Sequence, residues 1–90
     1  MVHSITLDHA ATVALKGLAY LVNSPDSLEE FLRQSGVDRR TMRMRADEPE
    51  FLASILDFLL ANEGVLASFL HESAIDVRTV HMARSVLAGG

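Results

Sequence analysis

An internal repeat constrains the fold of this chain more than any other feature of its sequence. Residues 18–44 align without a gap on residues 56–82 at a constant offset of 38, and ten of the 27 aligned positions are identical. Average residue usage would give roughly two identities by chance. Because a unit this short cannot bury its apolar face alone, the offset predicts two related helical units that share one core.

Capping residues and apolar spacing predict three helices in the first half of the chain, and no strand pattern competes with them. Thr6 is the expected N-cap of a helix over residues 7–22. The apolar face predicted for this helix consists of Leu7, Ala11, Ala14, Leu15, Leu18, Leu21 and Val22. A second helix begins after Ser24 at Pro25, or one turn later at a capping box of Ser27 and Glu30, and stops at Gly36. Asp38 caps a third helix that runs to about Ala46.

The second half repeats these signals. A capping box of Asp47 and Glu50 predicts a helix over residues 48–61, which is apolar on nearly every side and is therefore expected to be the most buried element. Asn62 is the predicted cap of a helix over 63–73, and Asp76 of one over 77–87. We therefore predict an all-α fold of six short helices, arranged as two pseudo-equivalent three-helix repeats (15–45 and 53–83) that share one core within a single domain, 1–90.

Composition limits where the protein acts. The chain has no Cys, which excludes disulfides and thiolate metal sites. The N-terminus lacks the basic and apolar segments of a signal peptide, and the longest apolar stretch, 51–61, is too short to cross a bilayer and contains Asp57. We expect a cytoplasmic protein that does not insert in membranes. The net charge of −4 disfavours broad binding to nucleic acid or anionic lipid.

No catalytic constellation is evident in the sequence. It has no nucleophile elbow, phosphate-binding Gly loop or dinucleotide fingerprint, and its histidines have no metal-ligand spacing. Those histidines are His3, His9, His71 and His81. We predict a protein that is not an enzyme and has no metal or cofactor. A pocket near Asp57, Tyr20 or His9 is the alternative, and it would require a buried Asp57 with a raised pKa. The helical spacing of Asp57 with Ser54 favours an exposed stripe instead.

Five of the eight cationic side chains fall within thirteen residues, with acidic residues on both sides. The five are Arg33, Arg39, Arg40, Arg43 and Arg45. The segment FLRQSGVDRRTMRMR resembles the helix-turn-helix of bacterial DNA-binding domains, and that resemblance implies that Arg39, Arg40 and Arg43 open a recognition helix. Three features oppose it. Gly36 becomes Ala74 in the second copy, and Arg45 stands where such a recognition helix usually buries an apolar residue. Acidic Asp47, Glu48 and Glu50 then follow where a phosphate backbone would be expected nearby.

Three interpretations of this cluster remain open: a plain helical corner with solvated or paired arginines, a nucleic-acid interface, and a surface for an acidic protein partner. Arg33, Arg39 and Arg43 are replaced in the second copy, so packing does not require them. Arg40 and its equivalent Arg78 are retained, which suggests a bond to a helix end or a carboxylate. The leading hypothesis is a non-enzymatic interaction module that binds an acidic partner through this face or a groove between the repeats. A homodimer through an uncovered apolar patch is a further expectation.

The chain as a whole is similar to a small alphaproteobacterial family of about ninety residues, filed as a domain of unknown function. The similarity rests on EFLRQSGVD (30–38), EPEFLASILDFLLANEGVLASFL (48–70) and AIDVRTVHMARSVL (74–87). It implies an all-helical bacterial cytoplasmic protein and supplies no catalytic residue, substrate or cofactor.

Overall fold

Six α-helices and no strand form the part of the chain that the computed structural model describes, residues 5–89. The helices are α1 (Leu7–Val22), α2 (Pro25–Ser35), α3 (Arg39–Met44), α4 (Pro49–Ala61), α5 (Glu63–Ser73) and α6 (Val77–Leu87). The all-α prediction is confirmed. His3 and the predicted domain ends, 1–4 and 90, lie outside the described residues.

Side-chain caps fix the starts of three helices where they were predicted. The Thr6 hydroxyl accepts a hydrogen bond from the His9 amide at 3.0 Å, which satisfies one of the free N–H groups at the start of α1. Asp38 accepts from the Thr41 amide at 2.7 Å and so begins α3. Asp76 begins α6 by accepting from the Arg78 amide at 2.9 Å.

At the other three helix starts, Ser24 and Asn62 take the predicted N-cap positions, but the predicted side-chain capping bonds are not made. Ser24, Glu48 and Asn62 occupy the N-cap positions of α2, α4 and α5, and none of the three makes a side-chain capping bond. The capping box of Asp47 and Glu50 is therefore wrong, as is the alternative start of α2 one turn later. Proline in the first turn of α2 and of α4 removes one N–H group that a cap would otherwise satisfy. The side-chain Nδ2 of Asn62 instead donates a hydrogen bond to the Phe58 carbonyl at 2.6 Å, so it stabilises the end of α4.

α4 lies at the centre of the core, as its all-round apolarity predicted. It packs on α1, α2, α5 and α6. Its buried residues are Phe51, Leu52, Ala53, Ile55, Leu56, Phe58 and Leu59. Residues of all six helices belong to one buried hydrophobic cluster around it. Burial of this apolar area is the main favourable contribution to folding.

The buried face of α1 matches the predicted one only in part, at Ala14 and Leu21. It consists of Ala10, Val13, Ala14, Gly17 and Leu21, whereas Leu7, Leu15 and Val22 are exposed. Gly17 shows why small residues turn inward. A Cβ atom at this position would lie 2.9 Å from Leu59 Cδ1, so α1 approaches α4 more closely than a larger residue would allow.

Local features recur at the offset of 38. α5 and α2 have equivalent bounds, and both end in a left-handed residue, Gly36 (φ 73°) and Ala74 (φ 54°). Phe31 packs edge-on against Phe58 with ring centroids 5.5 Å apart. Its equivalent Phe69 packs edge-on against Tyr20, the equivalent of Phe58, at 5.9 Å. Each half thus places an α2- or α5-type aromatic ring against the first helix of the other half.

The third helix of each half breaks this correspondence. α6 has 11 residues and packs along α1 and α4. α3 has six residues, ends at Met44 rather than near Ala46, and packs extensively on no other described helix. Only Met42 of α3 is buried. The equivalence of the two three-helix units therefore stays a prediction.

We expect opposite stability changes from exchanging the two left-handed residues. Ala74→Gly should raise the free energy of unfolding by about 1 kcal/mol, since an L residue with a Cβ is strained in this conformation and glycine is not. Gly36→Ala should lower it by a similar amount, because no atom lies within 4 Å of an added Cβ and only the backbone is affected. Urea denaturation of both variants tests this. A loss of stability in Ala74→Gly would contradict it.

Candidate functional site

The corner between α2 and α3 presents the arginine cluster to solvent. Gly36 ends α2 in the left-handed conformation, and its amide donates to the Leu32 carbonyl at 2.9 Å. The chain then turns through Val37, which is half-buried, and restarts at the Asp38 cap. Because Met42 is the single buried residue of α3, nearly all of this helix faces outward.

We call the five predicted residues, Arg33, Arg39, Arg40, Arg43 and Arg45, the arginine face. Four of them are exposed, and Arg45 is half-buried. Carboxylates of the chain pair with three: Arg33 with Glu30, Arg39 with Glu29, and Arg45 Nε with Glu48 Oε1 at 2.9 Å. The Arg45 guanidinium also lies over the Phe51 ring, 5.7 Å from its centroid, which holds it against α4.

Arg40 and Arg43 are different. Neither side chain makes a hydrogen bond or an ion pair with any residue in the range 5–89. The expectation that Arg40 and Arg78 bond a helix end or a carboxylate is therefore wrong for the part of the chain described, since the Arg78 side chain has no such partner there either. Within the arginine face, Arg40 and Arg43 are therefore the two residues whose charge no described carboxylate pairs with.

A shallow groove of about 490 Å³ begins beside Arg43. It is lined by Ala11, Leu15, Arg43, Met44, Ala46, Asp47 and Leu52. Leu52 of α4 is buried, while Met44 is 69 % exposed and Leu15 is 45 % exposed. Sequence reasoning missed this site because it placed Leu15 on the core face of α1. An apolar floor with charged edges suits a protein segment better than a small polar metabolite.

Of the three residues named for an alternative pocket, Asp57 lines an open groove of about 240 Å³ together with Ser54 and Phe58. Asp57 is exposed, as predicted, and its Oδ1 accepts a hydrogen bond from Arg84 Nε at 2.6 Å. His9 is exposed at the start of α1, and Tyr20 packs on Phe69. Within residues 5–89 no group of three or more His, Cys, Asp or Glu side chains is placed to hold a metal ion.

No individual helix in the described chain has the length and apolarity needed to span a membrane. α4 and α5 reach that threshold only when taken together, and they meet at a bend of 110°. The buried face of α4 is already in contact with other helices of the protein.

The comparison with protein families places the chain in a family. The family model described as "Protein of unknown function (DUF3572)" matches residues 7–90. The chain belongs to this family. The similarity to an uncharacterised domain of about ninety residues is thereby confirmed. No curated protein and no solved structure matches the chain.

Hydrogen bonds at the start of α3 lower the pKa of Asp38. The main cause is the Thr41 amide, followed by the Thr41 hydroxyl, and the Arg40 amide adds to them. A carboxyl whose pKa is lower in the folded than in the unfolded state stabilises the fold above its unfolded pKa. That contribution is lost as the pH falls through the folded pKa.

We therefore expect Asp38→Asn to be nearly as stable as the parent at pH 7, since Asn caps helices as well as Asp does. Between pH 7 and about pH 3 the variant should lose less stability, because it removes one carboxyl that must be protonated. Denaturation at both pH values measures the difference. An equal loss of stability in the two proteins would show that the Asp38 carboxylate does not contribute to the pH dependence of folding.

Proposed function

We propose that this protein is a non-enzymatic helical interaction module of a bacterial cytoplasm that binds an acidic protein surface through the arginine face. The observation that carries the proposal is the pair of uncompensated guanidinium groups, Arg40 and Arg43, on an exposed helix of a protein with net charge −4. An acidic partner would be attracted to a local positive field on an otherwise acidic molecule.

The remaining arginines can join such an interface at small cost. Arg33 and Arg39 are exposed and pair with exposed or half-exposed carboxylates, and ion pairs of this kind contribute at most about 1 kcal/mol. If a carboxylate of the partner protein took the place of Glu29 or Glu30 in the ion pair, the free energy of binding would therefore change little. Arg45 is held by both Glu48 and Phe51, so we assign it a supporting role at the edge.

We infer that two pseudo-equivalent three-helix repeats, 15–45 and 53–83, underlie this arrangement and share one core. The equivalent bounds of α2 and α5 and the two crossed aromatic contacts support the inference. On this view the third helices have diverged in role. α6 became part of the core, and α3 became short, exposed and basic.

The matched pair Arg40→Glu and Arg78→Glu tests the proposal, because the two residues are equivalent in the repeat and both are exposed without an ion pair among the described residues. A partner identified by co-purification with the native protein would be titrated with each variant. We expect Arg40→Glu and Arg43→Glu each to weaken binding at least fivefold, and Arg78→Glu to leave it unchanged. Equal affinity of all variants would refute the arginine face as the binding surface.

Nucleic-acid binding is the second candidate, favoured by the helix-glycine-helix corner with arginines opening α3. α3 is only six residues long, about 9 Å, which is short for a helix that reads several base edges. Titration of labelled duplex DNA at low salt separates the two functions. The absence of binding at tens of micromolar protein would end this interpretation, since even non-specific binders reach that range.

A further inference from the structure

The exposed apolar side chains of the protein are concentrated on one side of α1. In the part of the chain that is described, five large apolar residues are exposed. Leu7 (52 %), Leu15 (45 %) and Val22 (52 %) lie on α1, and Met44 (69 %) lines the groove beside Leu15. The fifth, Val77, begins α6. Exposed apolar residues that lie next to one another often mark an interaction site, whereas single ones scattered over a surface do not.

The positions of these residues form a continuous stripe along the helix. With Ala11 and Leu18, both half-buried, the three exposed residues follow intervals of three and four, which keep them within one face of α1. We call this surface the α1 stripe: Leu7, Ala11, Leu15, Leu18 and Val22. It spans all 16 residues of α1, about 24 Å.

The shortness of α3 leaves the stripe uncovered. On the other half of the molecule, α6 continues for 11 residues and packs along α4, and its end lies at a groove shared with Pro49. Ala53 of α4, the equivalent of Leu15, is only 7 % exposed. α6 also packs along α1, but α3 stops at Met44 and packs extensively on no described helix, so Leu7, Leu15 and Val22 of α1 stay exposed.

We propose that the α1 stripe is the interface with a second copy of this chain, with the two α1 helices antiparallel across a two-fold axis. The stripe is self-complementary when it is reversed. Leu7 meets Val22 of the other copy, Ala11 meets Leu18, and Leu15 lies beside the axis. A small residue opposite a large one allows the side chains of the two helices to interdigitate. A two-fold interface requires a patch that is complementary to itself, and the stripe meets this requirement.

The charges at the edge of the stripe agree with this occupant. Arg43 and Asp47 both line the groove beside Leu15, and neither forms an ion pair with another described residue. Because the rim carries one positive and one negative charge, two copies of this surface can face each other without placing only like charges opposite one another. This inference does not depend on the arginine face binding a partner.

The strength of the dimer follows from its size. A single helix of 16 residues offers less surface than the roughly 1,200–2,000 Å² that stable complexes bury. We therefore expect reversible dimerisation in the micromolar range, which sedimentation from about 5 μM to 1 mM protein detects as a rise from the 9.9 kDa monomer toward twice that mass.

Leu15→Glu should shift the dissociation constant at least tenfold toward monomer, since it places two carboxylates beside the axis. Val77→Glu is the matched control, because Val77 is an exposed apolar residue (38 %) on a different helix, and it should dimerise like the parent. Circular dichroism melts of both variants check that they fold. A parent that stays monomeric up to 1 mM would overturn the proposal, as would a dimer that survives Leu15→Glu.

Cross-linking gives an independent test that does not require a destabilising charge. The chain has no native cysteine, so Leu15→Cys introduces a single thiol beside the proposed axis. Under mild oxidation we expect this variant to form a disulfide-linked dimer, and Val77→Cys to remain mostly monomeric. Equal cross-linking of the two variants would indicate random collision and refute the interface, and preferential cross-linking at position 77 would place it elsewhere.

Discussion

The close contact between α1 and α4 is the constraint on which the rest of the fold depends. Gly17 lets the two helices approach until Leu59 fills the space that a side chain would occupy. Phe31 of α2 packs edge-on against Phe58 of α4, and Phe69 of α5 packs edge-on against Tyr20 of α1. Edge-to-face rings stabilise each of these contacts beyond the area that they bury. α2 and α5 therefore each pack on the first helix of their own half and also on that of the other half.

α3 and α6 differ in length and burial because their sequences differ toward their C-terminal ends. Proline cannot donate the hydrogen bond that an existing helix needs, and it disfavours helical geometry in the residue before it. Pro49 therefore ends any continuation of α3 and begins α4, whereas Leu87, 38 residues further on, is the last residue of α6 and is buried. Arg45 stands where α6 has Ala83, which is fully buried. A guanidinium group could not take that place without a large desolvation cost, so α3 turns away from the core and remains at the surface.

Short-range sequence signals predicted where the helices begin and end, whereas tertiary packing determined which face of α1 is buried. Asp38 and Asp76 as caps, Gly36 as a helix stop and the burial of α4 follow from short-range rules, and the structure agrees with them. The buried face of α1 followed only in part. Ala14 and Leu21 are buried as the spacing predicted, but Leu7, Leu15 and Val22 are exposed. The buried side of α1 includes Gly17, where close packing against α4 leaves no room for a side chain.

The sequence predicted where the candidate site lies but not which of its arginines pair with carboxylates of the chain. Glu29 reaches Arg39 ten residues further on because the corner at Gly36 folds α3 back toward α2, and no local spacing indicates that pairing. Within the arginine face, Arg40 and Arg43 have no ion-pair partner among residues 5–89, and the two differ in their surroundings. Arg43 also lines the groove beside the α1 stripe, whereas Arg40 does not. A second copy seated on that stripe would desolvate Arg43 and leave Arg40 in water. The energetic effect of changing Arg40 therefore reports on the arginine face alone, and that of Arg43 combines both surfaces.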